Sequence, residues 1–304
     1  MKIVEHLALM ILGTIIQIVL IVPIFLFIWR FIIRKILHPN PIQKYKQKDS
    51  YAIVTGASEG IGKAYAERLA KEGFNLILIA RRKQLLEEIK QKLTKEYQID
   101  VILLNYDMCN MTEEQWNEID KLMKEKNISV LINNVSYACS DMYHKFSVSD
   151  IDRMVKLNIE ITLDITHRFI NHVSNDKKYF ILFMSSCSSV NISPFNAVYS
   201  ATKAFIKQFG KSISYEYQNI DCTTIVPWHI STEMIGNIPT NIGVCTPKQL
   251  VDSAFIHVGL TNEIDPYIPH YLQDWFYDRI PDNIKGSLAS NEFKSSEDTK
   301  YKNE

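Results

Sequence analysis

The chain begins with a long apolar segment. From His6 to Trp29 it contains no Asp, Glu, Lys or Arg, and this run exceeds the roughly 20 residues that a helix needs to cross a membrane. Arg30 and Arg34 follow, without the small residues at which a signal peptide is cut. The pattern predicts an uncleaved transmembrane helix over residues 7–29, within an amino-terminal anchor of residues 1–38.

Basic residues lie mainly on one side of this segment. Lys2 precedes it, whereas a series of basic residues follows it, namely Arg30, Arg34, Lys35, Lys44, Lys46 and Lys48. Because lysine and arginine near a membrane helix favour the cytosolic side, we expect the rest of the chain to face the cytosol. Pro39 and Pro41 stop the helix, and residues 39–49 form a short basic linker.

From residue 50 short apolar stretches alternate with amphipathic ones. The apolar stretches predict strands at Tyr51–Thr55, Phe74–Ala80, Val101–Tyr106, Val130–Ile132, Tyr179–Met184 and Thr223–Val226. The amphipathic stretches predict helices, for example at Gly62–Lys71, Lys83–Tyr97 and Thr112–Lys126. This alternation predicts an α/β fold over residues 50–280: a Rossmann-type doubly wound parallel sheet with helices on both faces. The polar residues 281–304 predict a flexible tail.

Composition narrows the class of function. The formal net charge is zero, which argues against a nucleic-acid-binding protein, since such proteins carry a basic surface. The cysteines (Cys109, Cys139, Cys187, Cys222 and Cys245) are scattered and contain no C-x-x-C pair, so their spacing predicts neither a zinc site nor a disulfide framework. We expect no metal ion.

A glycine cluster follows the first predicted strand. The sequence there reads Thr-Gly-Ala-Ser-Glu-Gly-Ile-Gly and leads into a helix. Glycines in such a turn permit close backbone approach, and the helix amino terminus then faces a pyrophosphate. An ordinary glycine-rich turn is the alternative, but the position between strand and helix favours a dinucleotide. We predict that Gly56, Ser58, Gly60, Ile61 and Gly62 bind the cofactor.

The end of the second predicted strand indicates which cofactor is bound. NAD sites usually carry an acidic residue there for the ribose 2′-hydroxyl, whereas this chain has Arg81, Arg82 and Lys83. Guanidinium groups suit the 2′-phosphate of NADP. We assign this role to Arg81, because Arg82 and Lys83 are also explained as solvated charges at the start of a helix. The predicted cofactor is NADPH/NADP.

A tyrosine and a lysine lie one helical turn apart in Tyr199-Ser-Ala-Thr-Lys203. Spaced at i and i+4, they share one helix face, where an ammonium favours the phenolate and lowers its pKa. Such a pair alone is usually a surface pair. Its context is more specific, because Ser186 ends the fifth predicted strand, Asn158 lies in an upstream helical stretch, and Asn133 ends the fourth strand.

These motifs occur in the order and spacing of a classical short-chain dehydrogenase/reductase, which the chain resembles from about residue 50 to 270. Within that superfamily it is most similar to the very-long-chain 3-oxoacyl-CoA reductase and 17β-hydroxysteroid dehydrogenase group of the endoplasmic reticulum. The matching stretches read TGASEGIGKAYAE from Thr55, LINNV from Leu131 and YSATKAF from Tyr199. The resemblance therefore implies an NADP(H)-dependent oxidoreductase.

The resemblance also implies residue roles. Tyr199 would be the general acid and Ser186 a donor to the substrate carbonyl. Lys203 would lower the pKa of Tyr199 and bind the nicotinamide ribose, and Asn158 would hold a water that passes protons to Lys203. Further cofactor contacts are implied for Asp107 with the adenine, Thr232 with the carboxamide, and Asn133, which would brace the sheet.

The chain departs from the superfamily pattern at a few positions. Ser136 and Ser189 replace glycines, which puts the fine geometry of the site in doubt, and Trp228 follows Pro227 where glycine is usual. An aromatic residue there is similar to the oxoacyl-CoA reductase group. Residues 228–246 are expected to form a substrate lid.

Localisation signals lie at the carboxyl end. Lys300 and Lys302 resemble a dilysine retrieval signal, which agrees with an endoplasmic reticulum membrane protein whose catalytic domain faces the cytosol. The aromatic stretch Tyr271–Tyr277 has two open interpretations, packing on the core or a second contact with the membrane.

Several functional alternatives remain open from the sequence. The substrate is a hydrophobic lipid ketone, either a very-long-chain 3-oxoacyl-CoA in fatty-acid elongation or a 17-ketosteroid, with the acyl-CoA favoured by resemblance. A non-catalytic membrane scaffold on the same fold is the third possibility. The resemblance further implies a homodimer formed through the helices that carry Asn158 and Tyr199.

Overall fold

Seven parallel strands form the centre of the protein. The structure, a computed structural model, describes the backbone of residues 2–301; the side chains are described throughout 21–291 and in part before residue 21. The strands are β1 (Ser50–Thr55), β2 (Asn75–Ile79), β3 (Val101–Leu104), β4 (Asn127–Asn133), β5 (Tyr179–Met184), β6 (Ile220–Ile225) and β7 (Glu263–Ile264). They lie in the order β3-β2-β1-β4-β5-β6-β7.

Helices connect the strands and cover both faces of the sheet. Those of the α/β domain are α3 (Gly60–Lys71), α4 (Lys83–Tyr97), α5 (Glu113–Glu125), α6 (Val148–Val155), α7 (Ile161–Asn171), α8 (Ala197–Glu216), α9 (Pro247–Ala254) and α10 (Ile268–Tyr277). Before them lie α1 (Lys2–Ile28) and α2 (Arg34–Leu37), and after them α11 (Asp282–Tyr301).

Each strand contributes apolar side chains to both faces, as strands between two helix layers do. In β1, Ala52 and Val54 join the core cluster beneath α3, α4 and α9. The alternate residues, Tyr51 and Ile53, join the cluster beneath α5, α7 and α8. The predicted doubly wound parallel sheet is therefore confirmed.

Strand boundaries differ from the sequence expectations where apolar pattern is weak. Strand β4 begins at Asn127 and β6 at Ile220, earlier than predicted, because hydrogen bonding to neighbouring strands continues into residues that are not strongly apolar. Strand β7 has only two residues and carries no recognisable periodicity. The polar tail contains helix α11 over residues 282–301, where a flexible segment was expected.

The predicted anchor lies within α1, which is followed by a π-helical turn at Trp29–Ile33 and by α2. Among the helices formed by the described residues, none is both long and apolar enough to span a bilayer. Several side chains of the 7–29 segment are outside the described residues.

The end of α1 packs on the catalytic domain through aromatic residues. The rings of Phe27 and Phe31 lie 6.1 Å and 5.2 Å from the ring of Tyr271 on α10. Residues 39–49, expected to be a simple linker, are partly built into the domain, because Tyr45 is fully buried and its hydroxyl donates to Asp221 Oδ2 at 2.8 Å.

Strand order reverses between β1 and β4, which opens a crevice at the carboxyl ends of the strands. Ligands bind at this switch point in open α/β sheets. Helix α8 packs closely on β5 and β6, because a Cβ at Gly210 would come within 2.5 Å of Thr224 Oγ1 and 2.7 Å of a Phe183 ring carbon. The fold thereby places the end of β1 and the start of α8 at one edge of the sheet.

Candidate active site

The loop after β1 is shaped by glycine. Gly56 and Gly60 have positive φ angles of 66° and 54°, which side chains other than glycine rarely adopt. At Gly62 a Cβ would lie 2.2 Å from the Gly56 carbonyl oxygen, so helix α3 approaches the loop only because that atom is missing. Ile61 packs on the core, while Ser58 lies partly exposed in the turn.

A group of hydrogen bonds ties this loop to the end of β4. Thr55 Oγ1 donates to the carbonyl of Ile132 at 3.2 Å and accepts the backbone N–H groups of Asn134 and Val135, each at 3.0 Å. The Asn134 amide donates to the carbonyl oxygens of Thr55 and Gly56 at 3.0 Å and 3.3 Å. The sequence analysis assigned no role to Asn134; its place in the Asn-Asn pair was the available signal.

Asn133 and Asp107, both predicted cofactor contacts, have defined protein partners. The buried Asn133 amide donates to Thr166 Oγ1 on α7 at 2.9 Å, so it braces the sheet against a helix. Asp107 begins the 3-10 turn after β3, where its carboxylate accepts from the Cys109 N–H at 3.2 Å and the Asn110 amide at 2.8 Å.

The two arginines after β2 have different surroundings. Arg81 is exposed, and its backbone carbonyl accepts from the Asn105 amide at 2.8 Å. Arg82 instead pairs with Glu59 of the glycine loop at 2.8 Å and with Glu233 at 2.9 Å. Arg82 therefore links the glycine loop to the segment after β6, which its interpretation as a solvated charge did not predict.

The glycine loop fits a dinucleotide. Its cradle lacks the Cβ atoms that would fill it, and the first turn of α3 faces it with backbone N–H groups. Thr232 borders the other side of the cradle, since a Cβ added at Gly60 would lie 3.3 Å from Thr232 Cγ2. The segment 228–246 folds back on itself there, with the Ser231 N–H donating to the Cys245 carbonyl at 2.9 Å.

Four serines follow β5 (Ser185, Ser186, Ser188 and Ser189), and the first two have distinct environments. Ser185 is buried and donates to the carbonyl of Lys203 at 2.8 Å, so its hydroxyl fastens α8 to the sheet. Ser186 is partly exposed and approaches the Ser188 hydroxyl at 3.3 Å. It also lies beside the Tyr199 phenol, where its hydroxyl opposes the rise in the pKa of that phenol. The structure thus brings Ser186, rather than Ser185, to Tyr199.

Lys203 is deeply buried beneath Tyr199. Its Nζ donates to the carbonyl of Met184 at 2.9 Å and lies 5.6 Å from the centre of the Tyr199 ring. Burial lowers the pKa of Lys203 from 10.5 to about 7, because a charged amine loses its hydration there.

The effect of Lys203 on the pKa of Tyr199, implied by the resemblance, stays a prediction. Burial raises the pKa of Tyr199 to about 12, and the Ser186 hydroxyl acts against this rise. The Nζ atom of Lys203 donates to the carbonyl of Met184 rather than to the phenol.

Asn158 lies in a π-helical turn between α6 and α7, and its side chain is fully used in protein hydrogen bonds. Its Nδ2 donates to Thr202 Oγ1 at 2.9 Å and to the Tyr137 carbonyl at 3.0 Å. Its Oδ1 accepts from the Tyr137 N–H and the Ser136 hydroxyl at 2.8 Å and 3.0 Å. Ser136, a departure from the superfamily pattern, thus supports Asn158, whose expected role in holding a water stays a prediction.

Trp228 stands beside this group. The Cys187 N–H donates to the carbonyl of Pro227 at 2.9 Å, so the residue after Pro227 emerges next to the Ser186 segment. The Trp228 indole donates to Asp274 Oδ1 on α10 at 2.5 Å. Burial raises the pKa of Asp274 to about 6, which leaves it largely ionised and a strong acceptor at pH 7.

Known proteins share these features. The profile of the short chain dehydrogenase family matches residues 50–243. A very-long-chain 3-oxoacyl-CoA reductase-like protein of Arabidopsis thaliana is 30% identical over 265 residues, which are 84% of this chain and 83% of that protein. The very-long-chain 3-oxoacyl-CoA reductase of Caenorhabditis elegans is 32% identical over 261 residues, covering 83% of this chain and 82% of that protein.

Among solved structures, a 7β-hydroxysteroid dehydrogenase superimposes with a TM-score of 0.72 over 83% of this chain and 99% of the other. Its sequence is 19% identical, so the likeness concerns the fold. The described part of the chain contains no group of three or more His, Cys, Asp or Glu side chains arranged to hold a metal ion.

The two neighbouring serines give a matched pair of variants. We expect Ser186→Ala to lower kcat by ~10²–10³ with little loss of stability, because it removes a donor aimed at the reacting carbonyl. Ser185→Ala should instead lower the free energy of unfolding by about 0.5–1.5 kcal/mol, since it removes one buried hydrogen bond to the Lys203 carbonyl, which keeps its helical partner within α8. Ketone-reduction kinetics and urea unfolding of both variants measure this; the reverse pattern would reassign the two hydroxyls.

Burial of the Lys203 amine predicts that replacing it raises stability while it abolishes activity. Between pH 7 and 10.5 the unfolded chain binds more protons at Lys203 than the folded chain, so this group makes the wild type more stable as pH rises. We expect Lys203→Met to abolish reduction yet be more stable than wild type near pH 7, each pKa unit corresponding to about 1.4 kcal/mol. Urea midpoints measured across this range should converge toward pH 10.5. A variant less stable than wild type at every pH would contradict the prediction.

Proposed function

Because the chain belongs to the short chain dehydrogenase family, we propose that it is a membrane-anchored, NADPH-dependent reductase of very-long-chain 3-oxoacyl-CoA. The observation that carries the proposal is the meeting of Ser186, Tyr199 and Lys203 beside a glycine cradle at one edge of the sheet. A scaffold protein has no need to bury a lysine or to place a serine against a tyrosine there.

We assign the proton transfer to Tyr199. At neutral pH the phenol is protonated, since its pKa is raised to about 12, and this is the form that a reductase needs to protonate a developing alkoxide. The hydroxyl of Ser186 donates to the same oxygen and stabilises its negative charge. When bound, the nicotinamide cofactor supplies the hydride.

Lys203 and Asn158 assist the reacting pair, Tyr199 and Ser186. Lys203, with a pKa of about 7, exchanges a proton readily and can return a proton to the Tyr199 phenolate after each turnover. Asn158 joins the segment at residues 136–137 to Thr202 on α8, and so positions the helix that carries both Tyr199 and Lys203. The proposed roles need no movement of the backbone.

The proposed preference for NADPH rests on the end of β2. Arg81 lies exposed there, and no acidic residue occupies the positions between Ala80 and Lys83. A guanidinium binds a 2′-phosphate with charge-assisted hydrogen bonds. The cradle itself would be held by Gly56, Ser58, Gly60, Ile61 and Gly62, with Asp107, Asn133 and Thr232 at its margins.

The choice of substrate is supported by the relatives' names, since two proteins that share about 30% of their residues with this chain are called very-long-chain 3-oxoacyl-CoA reductases or similar to them. An acyl-CoA has a long apolar chain, and Trp228 would form an apolar wall beside the reacting group. A 17-ketosteroid is the second candidate, because it is also a hydrophobic ketone.

We further propose that residues 7–29 anchor the enzyme in the endoplasmic reticulum membrane, with the catalytic domain in the cytosol. The apolar run and the basic residues after it support this orientation. The dilysine pattern at Lys300 and Lys302 agrees with this orientation, although Lys302 lies outside the described residues.

A homodimer formed through the helices that carry Asn158 and Tyr199 is expected from the family resemblance. Measurement of the particle size in detergent tests this expectation.

Cofactor preference is tested at Arg81. We expect the wild type to bind NADPH more tightly than NADH, and Arg81→Asp to narrow or reverse the difference, because a carboxylate repels the 2′-phosphate and accepts from a 2′-hydroxyl. Fluorescence titration with both cofactors measures the two affinities. Arg82→Gln is the control, and it should retain the preference. Equal affinities in the wild type would refute the assignment.

The substrate is tested with purified enzyme, NADPH, a long-chain 3-oxoacyl-CoA and, in parallel, the 17-ketosteroid estrone. We expect turnover of the acyl-CoA, and its loss in Tyr199→Phe while NADPH still binds, because only the phenolic proton is removed. Turnover of estrone alone would reject the elongation function. Turnover of neither substrate would favour a scaffold or another lipid ketone.

Topology is tested by glycosylation. Asn110 is exposed and is followed two residues later by Thr112, so it is an acceptor site for any lumenal domain. A cytosolic domain predicts no glycan, and treatment with a glycosidase should leave the mobility of the wild type unchanged. Asn110→Gln is the control: a shift that is present in wild type and absent in this variant would place the domain in the lumen.

A further inference from the structure

Unmatched positive charge lies where the amino-terminal helix meets the catalytic domain. Arg30 belongs to the π-helical turn after α1, and Arg34 begins α2 one turn later. Among the described residues, no carboxylate comes within 4.0 Å of either guanidinium, the distance that defines an ion pair. Arg30 has only a carbonyl partner, Glu263 O at 3.3 Å, and the ring of Tyr271 at 5.3 Å.

Arg34 is incompletely satisfied. Its Nη1 is buried and has no hydrogen-bond partner within the part of the chain that the structure describes. Burial and the neighbouring charge of Arg30 lower the pKa of Arg34. A buried donor without a partner is destabilising, and more so when the group is charged, so an anion brought to this position would be stabilised.

A buried histidine completes the group. His257 is 0% exposed, in the turn that precedes β7, and the π-helical turn after α1 covers it with the ring of Phe31 at 5.4 Å. Neither of its ring nitrogens has a hydrogen-bond partner among the described residues. Buried polar atoms are normally paired, so a histidine that merely filled the core would be expected to bond at least one nitrogen.

The charge state of His257 is compatible with an anion. Burial and the charges of Arg30 and Arg34 lower its pKa to about 3, so the ring is neutral at pH 7 and offers one N–H donor. Helix α2 packs against the turn that carries His257, and both guanidinium groups act on the imidazole. The acid that also feels Arg30 is Asp265, which is neutral at pH 7 because burial raises its pKa to about 9. Two arginines and one neutral donor therefore meet without an ionised acid, a donor set suited to phosphate oxygens.

We propose that Arg30, Arg34 and His257 form a binding site for a phosphate-bearing anion at the junction of the amino-terminal helix and the catalytic domain. If residues 7–29 cross the bilayer, as proposed above, Arg30 follows the membrane segment directly, at the level of the lipid headgroups. The expected source of the phosphate is therefore an anionic phospholipid; the site itself does not depend on that source.

The test uses the full chain in detergent and follows its thermal unfolding midpoint. The probes are phosphatidic acid in mixed micelles, the same micelles with phosphatidylcholine, and inorganic phosphate in plain micelles. We expect phosphatidic acid to raise the midpoint by a few degrees, as ligand binding to the folded state does. An equal rise with inorganic phosphate would support the site and identify soluble phosphate as its source.

Three variants separate the site from general attraction between a basic surface and an anionic lipid. Arg34→Gln and His257→Phe should each lose most of the rise, and the second keeps a ring of similar size in the core. Lys35→Gln is the matched control, because Lys35 is exposed on the same turn, and it should retain the rise. His257→Phe also keeps the test valid if Arg34→Gln does not fold.

Two outcomes would overturn the proposal. One is that no probe shifts the wild-type midpoint. The other is that Lys35→Gln loses as much of the shift as Arg34→Gln and His257→Phe, which would attribute the effect to surface charge alone. Both leave the proposed reductase function untouched, since NADPH-dependent turnover of the same preparations is measured separately.

Discussion

The carboxyl ends of β1 and β4 are held together by hydrogen bonds that meet at Thr55 and Asn134. These strands flank the point where the order of the sheet reverses. The reversal leaves a crevice, and the Asn134 amide at its base fixes the glycine loop by donating to the carbonyl oxygens of Thr55 and Gly56. Because Gly62 lies against the Gly56 carbonyl, the amino terminus of α3 faces that crevice at short range. The position of every other proposed cofactor contact follows from this arrangement.

On the other side of the crevice, the reacting groups depend on a buried polar network between β5 and α8. The Ser185 hydroxyl donates to the Lys203 carbonyl, and the Lys203 amine donates to the Met184 carbonyl. The Asn158 amide donates to the Thr202 hydroxyl. Each bond compensates a polar group that burial would otherwise penalise. The network is also costly, because it keeps an amine out of water with its pKa lowered to about 7. Such a cost is typical of sites that need a titratable group near neutral pH.

The amino-terminal helix is connected to the same site through α10. Phe27, Phe31 and Arg30 contact Tyr271 near the start of α10, and one turn further along, Asp274 accepts from the Trp228 indole. One short helix therefore contacts the amino-terminal segment and the wall beside the reacting residues. This contact explains why the aromatic stretch Tyr271–Tyr277 packs on protein, although Phe276 within it remains exposed.

The pattern of the sequence was sufficient for the doubly wound sheet, because buried parallel strands are continuous apolar runs and the helices between them are amphipathic. The glycine motif between β1 and α3 also nominated Gly56–Gly62, whereas Ser186, Tyr199 and Lys203 were nominated through the resemblance to short-chain dehydrogenases. The pattern did not reveal strand β7 (Glu263–Ile264), which is too short to carry a period and exists only through its pairing with β6.

The tertiary structure alone decided how these residues act on one another. Residues far apart in the chain meet there: Arg82 with Glu233, Trp228 with Asp274, and His257 with Phe31. The spacing of Tyr199 and Lys203 indicates that they are neighbours, whereas the burial that raises the pKa of the phenol and the carbonyl to which the amine donates come from the packing around them. Spacing along a helix determines which side chains can be neighbours, whereas desolvation and competing hydrogen bonds are set by everything packed around them.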